Sequence, residues 1–323
     1  MRCLITGGAG FIGGHLAEAL LKRPDVESVT AVDDLSTGNL RNVSAIANDP
    51  RFSLRIGSIL DLPELEELIA GSDAVVHLAA AVGVELVVHD PIRTLKTNVY
   101  GTGRVLEYAA KHGVRTVIAS TSEVYGKSRK ESFEESDDLL IGAPTRSRWS
   151  YACSKLIDEF FLMAYVRNRS FPGTVVRFFN TVGPRQTGEY GMVIPRFVQA
   201  ALNGEPLKVY GSGRQTRCFC HVADTVRALN GLLDCPASYG EIYNIGSQNS
   251  ISIEDLARRV AAELNSPSAI ETVSYDKAYA KGFEDMLRRS PDTSKIFNLL
   301  GWRAELPFEK IIHDVADDLS ARC

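Results

Sequence analysis

The sequence has no apolar run approaching the ~18 residues that a membrane-spanning helix requires, so a protein of that kind is not expected. It has no excess of positive charge either. Its 36 Lys and Arg stand against 40 Asp and Glu, a net charge of −4. That balance argues against nonspecific nucleic-acid binding, and any anionic ligand has to be met by local basic residues. The six cysteines (Cys3, Cys153, Cys218, Cys220, Cys235 and Cys323) show none of the spacings that hold zinc, so no metal is expected. Cys218 and Cys220 alternate within an apolar run and are expected on one face of a strand as reduced core residues. Repeats and low-complexity segments are missing. Glycines interrupt the N-terminal apolar residues before they could form a signal peptide, which makes a cytoplasmic location the default expectation.

What is present is a glycine turn in a specific context. Gly7, Gly10 and Gly13 follow the apolar run Arg2 to Thr6 and open an amphipathic stretch from Phe11 to Leu21. A pyrophosphate can approach a backbone only where no Cβ intervenes, and a helix start offers it unpaired N–H groups. Strand, turn and helix together form a dinucleotide-binding fingerprint. By themselves three glycines are only a turn. Asp33 ends the next apolar run, about twenty positions beyond Gly13, where a carboxylate can accept hydrogen bonds from a ribose. With Asp34 beside it, Asp33 would repel a 2′-phosphate, which favours NAD over NADP. A solvated acid at a strand end is the competing reading.

The 323 residues, 45% of them hydrophobic, suit one large or two modest domains. Strand-like runs at Val26–Val32, Phe52–Ile56, Ala74–Leu78, Thr116–Ser120 and Thr174–Phe179 alternate with helical stretches. Such alternation predicts an α/β protein: a Rossmann-type doubly wound parallel sheet with a smaller C-terminal substrate-binding α/β region. The expected division is a cofactor domain over 1–180, with segments near 215–247 returning to it (Cys218–Val222 and Glu241–Ile245), and a mainly substrate-binding region over 181–323. Ser252–Leu264 and Phe308–Leu319 have helical periodicity. The stretch Lys127–Arg148, rich in Ser, Glu, Asp and Arg, is expected to be a mobile lid or a solvated surface.

Tyr151 and Lys155 stand four apart at the start of a helical stretch, on one face. A cation there can lower the phenol pKa enough for Tyr151 to act as a base. Alone, such a pair is common and structural. It gains weight from the glycine turn and from the strand end Ser120-Thr121-Ser122-Glu123-Val124-Tyr125-Gly126.

At these residues the chain resembles the extended short-chain dehydrogenase/reductase family, in its nucleotide-sugar branch, and is most similar to the UDP-glucuronic acid decarboxylases. The matching segments are Ser120–Gly126, Arg148–Lys155, Gly183-Pro184-Arg185, Gly204–Lys208, Gln215–Phe219 and Arg288–Asp292. The resemblance implies NAD held by Gly7, Gly10, Phe11, Ile12, Gly13, Asp33, Ser36, Gly38, Ile59, Leu78, Ala79, Ala80, Asn98, Tyr151 and Lys155. It implies that Tyr151 takes the proton of the sugar 4-hydroxyl as C4 is oxidised, and that the resulting β-keto acid loses carbon dioxide from C5. Thr121 and Tyr151 would steady the enolate, while Ser122, Glu123 and Arg289 would serve the carboxylate and the protonation of C5. The product is then UDP-xylose or a UDP-4-keto-pentose. Substrate contacts fall to Glu123, Asn180, Arg185, Lys208, Tyr210, Arg217 and Arg289. Family members pair through two long helices, here Pro91–His112 and Ser150–Arg167, which implies a homodimer.

Plain alternatives stand beside these roles. Glu123 could be salt-bridged to a nearby arginine, Arg289 could be a solvated helix end, Ser122 could cap a turn, and Asn180 could simply form one. Trp149 is either pocket wall or helix-start staple. Two departures from the family pattern are visible: Ser58 follows Gly57 where an acid contacts adenine, and Ala81–Glu85 differs from the uronate-holding loop. A 4-epimerase or a 4,6-dehydratase working through the same 4-keto sugar is the alternative reading. A dehydratase needs Glu123 to remove the C5 proton, whereas a decarboxylase needs a cation such as Arg289.

Overall fold

The computed structural model describes residues 1–83, 90–188, 192–274, 286 and 288–322. Seven parallel strands form its centre: β1 (Arg2–Thr6), β2 (Ser28–Asp33), β3 (Phe52–Ile56), β4 (Ala74–His77), β5 (Arg115–Thr121), β6 (Gly173–Phe178) and, later in the chain, β11 (Ile242–Ile245). They lie in the order β3-β2-β1-β4-β5-β6-β11. Strands covered on both faces become continuously apolar, and Ala74 to Val76 and Cys3 to Ile5 are all buried. The strand order reverses between β1 and β4, which opens a crevice at their carboxyl ends. This is the Rossmann-type sheet expected from the sequence.

Helices cover both faces. On one, α1 (Phe11–Leu21) and α6 (Val222–Leu233) pack Leu16, Leu20, Val226 and Leu229 against Ile5, Val29 and Val76. On the other, α2 (Leu65–Ala70), α3 (residues 91–112) and α4 (Trp149–Arg169) pack Leu65, Leu106 and Leu162 against Leu4, Val75 and Ile118. Helix α3 runs as Pro91–Leu95, a π-helical turn Lys96–Gly101, and Thr102–His112. Pro91 stands in its first turn, and the Asp90 carboxylate accepts the Arg93 N–H at 3.0 Å, so the start is both shaped and capped.

A smaller core lies past residue 181. Helices α5 (Val193–Leu202), α7 (Ile253–Glu263) and α9 (Phe308–Ser320) bury Phe197, Leu256 and Ile312 together with Leu207 and Val209 of β8 (Leu207–Tyr210). β8 pairs in parallel with β13 (Ile270–Val273). Helix α8 (Ser294–Leu300) follows the 288–292 segment.

Two expectations need correction. Strand β2 begins at Ser28 and not Val26, with the Glu27 N–H donating to the Met1 carbonyl at 2.9 Å just before it. The 218–222 run does not rejoin the main sheet. β9 (Thr216–Cys218) pairs with β12 (Ser250–Ser252), and β10 (Cys220–His221) pairs with β7 (Thr181–Val182), so Cys218 and Cys220 are buried on different short strands. Only β11 returns, because β6 offers a single free edge. The 127–148 stretch is exposed along most of its length, the solvated surface expected of it, and is anchored at its middle. Phe133 is buried and stacks on Tyr125 with ring centroids 4.6 Å apart.

Candidate active site

A cleft of about 470 Å³ opens where the strand order reverses. Its floor is the glycine turn. Gly7 has φ of +72°, and a Cβ there would come 2.7 Å from the Ala79 backbone nitrogen; a Cβ on Gly13 would collide with the Gly7 carbonyl oxygen. The cradle is therefore closed to any side chain and fits a pyrophosphate. Asp33 lies beside it, its two carboxylate oxygens accepting the N–H groups of Ala9 at 2.9 Å and Leu35 at 2.8 Å. A carboxylate has about four acceptor positions, so ribose hydroxyls can still be taken. Burial pushes the Asp33 carboxyl above its ordinary range, partly countered by those backbone donors.

Phe11, Ile12, Ser36, Ile59, Leu78, Ala79 and Ala80 line the same cleft, as do Ser58 and Gly10. Gly38 stands behind Asp33, where a Cβ would meet its carboxylate. Asn98, expected against the cofactor, is one layer back. It is fully buried, its Oδ1 accepting the Ala81 N–H at 2.8 Å and its Nδ2 donating to Ser154 Oγ at 3.0 Å. Its amide is spent on bracing the cleft wall, so it is corrected to a supporting residue. Val84 and Glu85 lie outside the described residues.

Thr121 ends β5, and Ser122 and Glu123 form the 3-10 turn that follows. The Thr121 hydroxyl accepts the Glu123 N–H at 3.3 Å. Tyr151 and Lys155, one turn apart on α4, enter the cleft beside them. Burial, reinforced by the Glu123 charge, raises the Tyr151 phenol above its ordinary range, while a hydrogen bond from Thr121 and the Arg289 charge oppose the rise. Arg289 arrives from the 288–292 segment and donates to Glu123 Oε1 at 3.3 Å. Thr121, Ser122, Glu123, Tyr151, Lys155 and Arg289 thus share one cavity. The Glu123–arginine pairing weighed from sequence is present, and its partner is Arg289 itself.

The substrate candidates divide. Asn180, Tyr210 and Arg217 line the cleft. Asn180 has φ of +38° and donates through Nδ2 to the Cys218 carbonyl at 2.8 Å, so it forms the turn as well as the wall. Arg185 borders the cleft, but Glu18 takes its guanidinium at 2.7 and 3.0 Å and His15 Nδ1 at 2.8 Å. An arginine paired this way is a clamp onto α1, not an anion receptor. Lys208 is exposed on β8, pointing opposite to the buried Leu207 and Val209, and does not line the cleft. Strand alternation sends its ammonium outward. Trp149 is buried against Tyr125 and Phe133 and belongs to that cluster instead of the cleft wall.

Sequence reasoning missed several groups. Arg196 lines the cleft and sits 4.2 Å over the Tyr210 ring, a cation–π contact. Arg93, Thr97 and Arg148 line it too; only Arg148, next to the Tyr151 motif, could have been suspected from position. Behind Lys155 lies a buried polar chain. Lys155 Nζ donates to Asp158 Oδ2 at 2.7 Å, and His77 bridges Thr6 Oγ1 at 2.6 Å and Thr102 Oγ1 at 2.9 Å. The Lys-x-x-Asp spacing was the only local signal of it.

The chain is similar to several known proteins. A UDP-N-acetyl-alpha-D-glucosaminuronate decarboxylase of Bacillus cytotoxicus is 42% identical over 96% of this chain and 94% of its own. A UDP-glucuronic acid decarboxylase of Xenopus tropicalis is 36% identical over 96% of this chain and 70% of its own. Among solved structures, a UDP-glucuronic acid 4-epimerase from Bacillus cereus, in complex with UDP-glucuronic acid and NAD, superposes with a TM-score of 0.90 at 26% identity over all of both chains. A dTDP-glucose 4,6-dehydratase from Streptomyces venezuelae with NAD bound superposes at 0.89 and 33% identity over 100% of this chain and 98% of that one. Residues 4–315 match the family described as GDP-mannose 4,6 dehydratase, and with the parallel sheet, the glycine cradle and the Tyr151–Lys155 pair on the page, the chain belongs to that family, within the nucleotide-sugar branch of the extended short-chain dehydrogenases/reductases.

Proposed function

We propose that this protein is an NAD-dependent UDP-glucuronic acid decarboxylase that yields UDP-xylose or the UDP-4-keto-pentose. The observation that carries the reading is the Arg289–Glu123 pair beside Tyr151 in a cleft whose relatives are named decarboxylases. Residues 1–180, with β11 and α6, hold the cofactor, and the rest of 181–323 holds the nucleotide sugar. The glycine cradle and Asp33 suit NAD, which when bound supplies a reversible two-electron oxidation of sugar C4.

The remaining chemistry falls to side chains. Tyr151 accepts the proton of the C4 hydroxyl, and Lys155 supplies the positive charge that opposes the buried phenol's high pKa. Once C4 is a ketone, the C5 carboxylate is β to it. The bond to the carboxyl carbon breaks, carbon dioxide leaves, and the electron pair enters the C4 carbonyl as an enolate. Thr121 and Tyr151 donate to that oxygen. Arg289 orients the carboxylate before it leaves, and Glu123 and Ser122 serve the return of a proton to C5. Tyr210 and Arg217 receive the nucleotide, with Arg217 facing its diphosphate.

A second reading keeps the reaction and changes the sugar. The relative with 42% identity acts, by its name, on an N-acetylglucosaminuronate, so a substrate with an acetamido group at C2 is the competing choice. One experiment separates the possibilities. Purified protein is incubated with UDP-glucuronate, UDP-N-acetylglucosaminuronate and UDP-glucose while carbon dioxide and product mass are followed. Carbon dioxide from a uronate supports decarboxylation and names the sugar. An unchanged mass with inverted C4 identifies an epimerase, and loss of water from UDP-glucose a dehydratase.

A second copy of this chain is the proposed partner. Helices α3 and α4 expose Ile92 (68%), Tyr100 (64%) and Phe160 (68%), an apolar surface suited to a homodimer seam. Light scattering that returns the monomer mass at working concentration would reject it.

A further inference from the structure

The sequence places an acid, Asp158, three residues after Lys155 on α4, and the fold closes both to solvent. Asp158 is 0% exposed and Lys155 2%. A lone buried charge is expensive, and pairing reduces that cost only when the geometry is good. Lys155 Nζ donates to Asp158 Oδ2 at 2.7 Å. Asp158 Oδ1 has no hydrogen-bond partner among the described residues, while the Thr102 hydroxyl on α3 and the Lys155 charge work against burial, which otherwise raises the Asp158 carboxyl. Thr102 is itself held by His77 Nε2 at 2.9 Å, and His77 Nδ1 meets Thr6 Oγ1 at 2.6 Å at the end of β1. His77 therefore ties the end of β1 to Thr102 on α3, behind the lysine–acid pair. An ordinary solvated helix pair needs none of it.

An ammonium has three N–H donors. We infer that Asp158 is a positioning residue: it occupies one donor of Lys155, aims the other two into the cleft, and sets the electrostatic field on the Tyr151 phenol. Tyr151 is faced by Glu123 from the turn after β5, by Arg289 from the 288–292 segment and by Asp158 from its own helix, and it shares the cleft with Lys155. Asp158 is faced by Glu159 on α4 and Thr102 on α3, with His77 on β4 behind. Of the two acids that act on the phenol, Glu123 has Arg289 as a direct partner. Asp158 spends its charge on the lysine that the phenol depends on.

The inference rests on the proposed roles of Tyr151 and Lys155, and the test keeps the two apart. The pH dependence of turnover is measured for the NAD-loaded wild type, Asp158→Asn and Tyr151→Phe, with NAD content determined for each. Removing the carboxylate's charge is expected to move the acid limb to lower pH by roughly one unit and to lower the plateau about tenfold as Lys155 loses its aim. Breaking a buried pair can unfold the protein, so Thr102→Val is the companion variant, since it leaves both charges in place. Without the Thr102 donor the carboxylate bears more strongly on Lys155, and the limb is expected to move to higher pH. A lowered plateau with the limb unmoved in both variants overturns the inference and leaves Asp158 a buried counter-ion only. Failure of the underlying reading looks different: Tyr151→Phe would then keep wild-type turnover.

Discussion

Arg289 reaches Glu123 across 166 residues of chain and meets its Oε1 at 3.3 Å, with both side chains largely shielded from solvent. The contact is delivered by the anchored 127–148 stretch. Phe133 N–H donates to the Ser290 carbonyl at 2.9 Å, and the Asp292 N–H returns to the Phe133 carbonyl at 2.8 Å. These two bonds flank Pro291 and fix the backbone immediately after Arg289. In the proposed reaction a substrate carboxylate would compete with Glu123 for this guanidinium, which would make the pair a gate for charge.

The first prediction concerns that gate. Arg289→Ala is expected to weaken catalysis with UDP-glucuronate by about 2–4 kcal/mol in kcat/KM, since it strands Glu123 as well as the substrate carboxylate. Binding of UDP-glucose, which has no carboxylate, should fall much less. Equal losses for the two sugars, measured by steady-state kinetics and competition binding, would remove Arg289 from carboxylate recognition.

Tyr151 carries the second. Tyr151→Phe keeps the ring and deletes the hydroxyl, so nucleotide-sugar binding should persist while turnover falls by about 10²–10⁴. Calorimetric titration and product assays on the same preparation decide it, and turnover within a factor of a few of wild type would disprove the assignment.

Cofactor choice supplies the third. Asp33 is buried and has its carboxylate fixed by Ala9 and Leu35, an arrangement that repels a 2′-phosphate. Asp33→Ala is expected to raise the relative affinity for NADP by about tenfold, some 1.4 kcal/mol. Fluorescence titration with both dinucleotides is the measurement, and an unaltered ratio would locate the selectivity in Asp34 or elsewhere.

The fourth concerns stability against pH. His77 is fully buried, and desolvation lowers its pKa to about 3 from an ordinary 6.5. Between those values the unfolded chain binds more protons than the folded one, so stability rises with pH and is lost as pH falls from 6.5 toward 3. From pH 6.5 to 5 this residue is expected to cost about 2 kcal/mol. His15, lowered to about 4 by burial, adds to the same fall, so the comparison with His77→Asn isolates the effect. Urea unfolding at both pH values should show a shallower drop in the variant, and an identical drop would place the pH sensitivity elsewhere.

Legibility in the sequence followed the range of each interaction. The glycine cradle, α1 and the strand that ends at Asp33 could be read because their spacing is fixed by backbone geometry within a few residues. The same holds for Tyr151 and Lys155, which helix periodicity alone puts on one face. Lys208 and Arg185 were misjudged for a physical reason. Whether a strand residue faces in or out depends on register against a partner, and whether an arginine is available depends on acids brought to it from elsewhere. Glu18 lies on α1, far from Arg185 in sequence, and its carboxylate occupies that guanidinium.

The sequence by itself determined the alternation of strands and helices, the turn that only glycine can form, and the helix face that carries Tyr151 and Lys155, because each is settled by local sterics and periodicity. Tertiary structure alone decided that Arg289 meets Glu123 and that Thr6, His77, Thr102 and Asp158 gather behind Lys155. Those meetings depend on which strands lie side by side and which loop is pinned by Phe133. Such choices are made by burying apolar surface across the whole chain, and no short stretch of residues contains them.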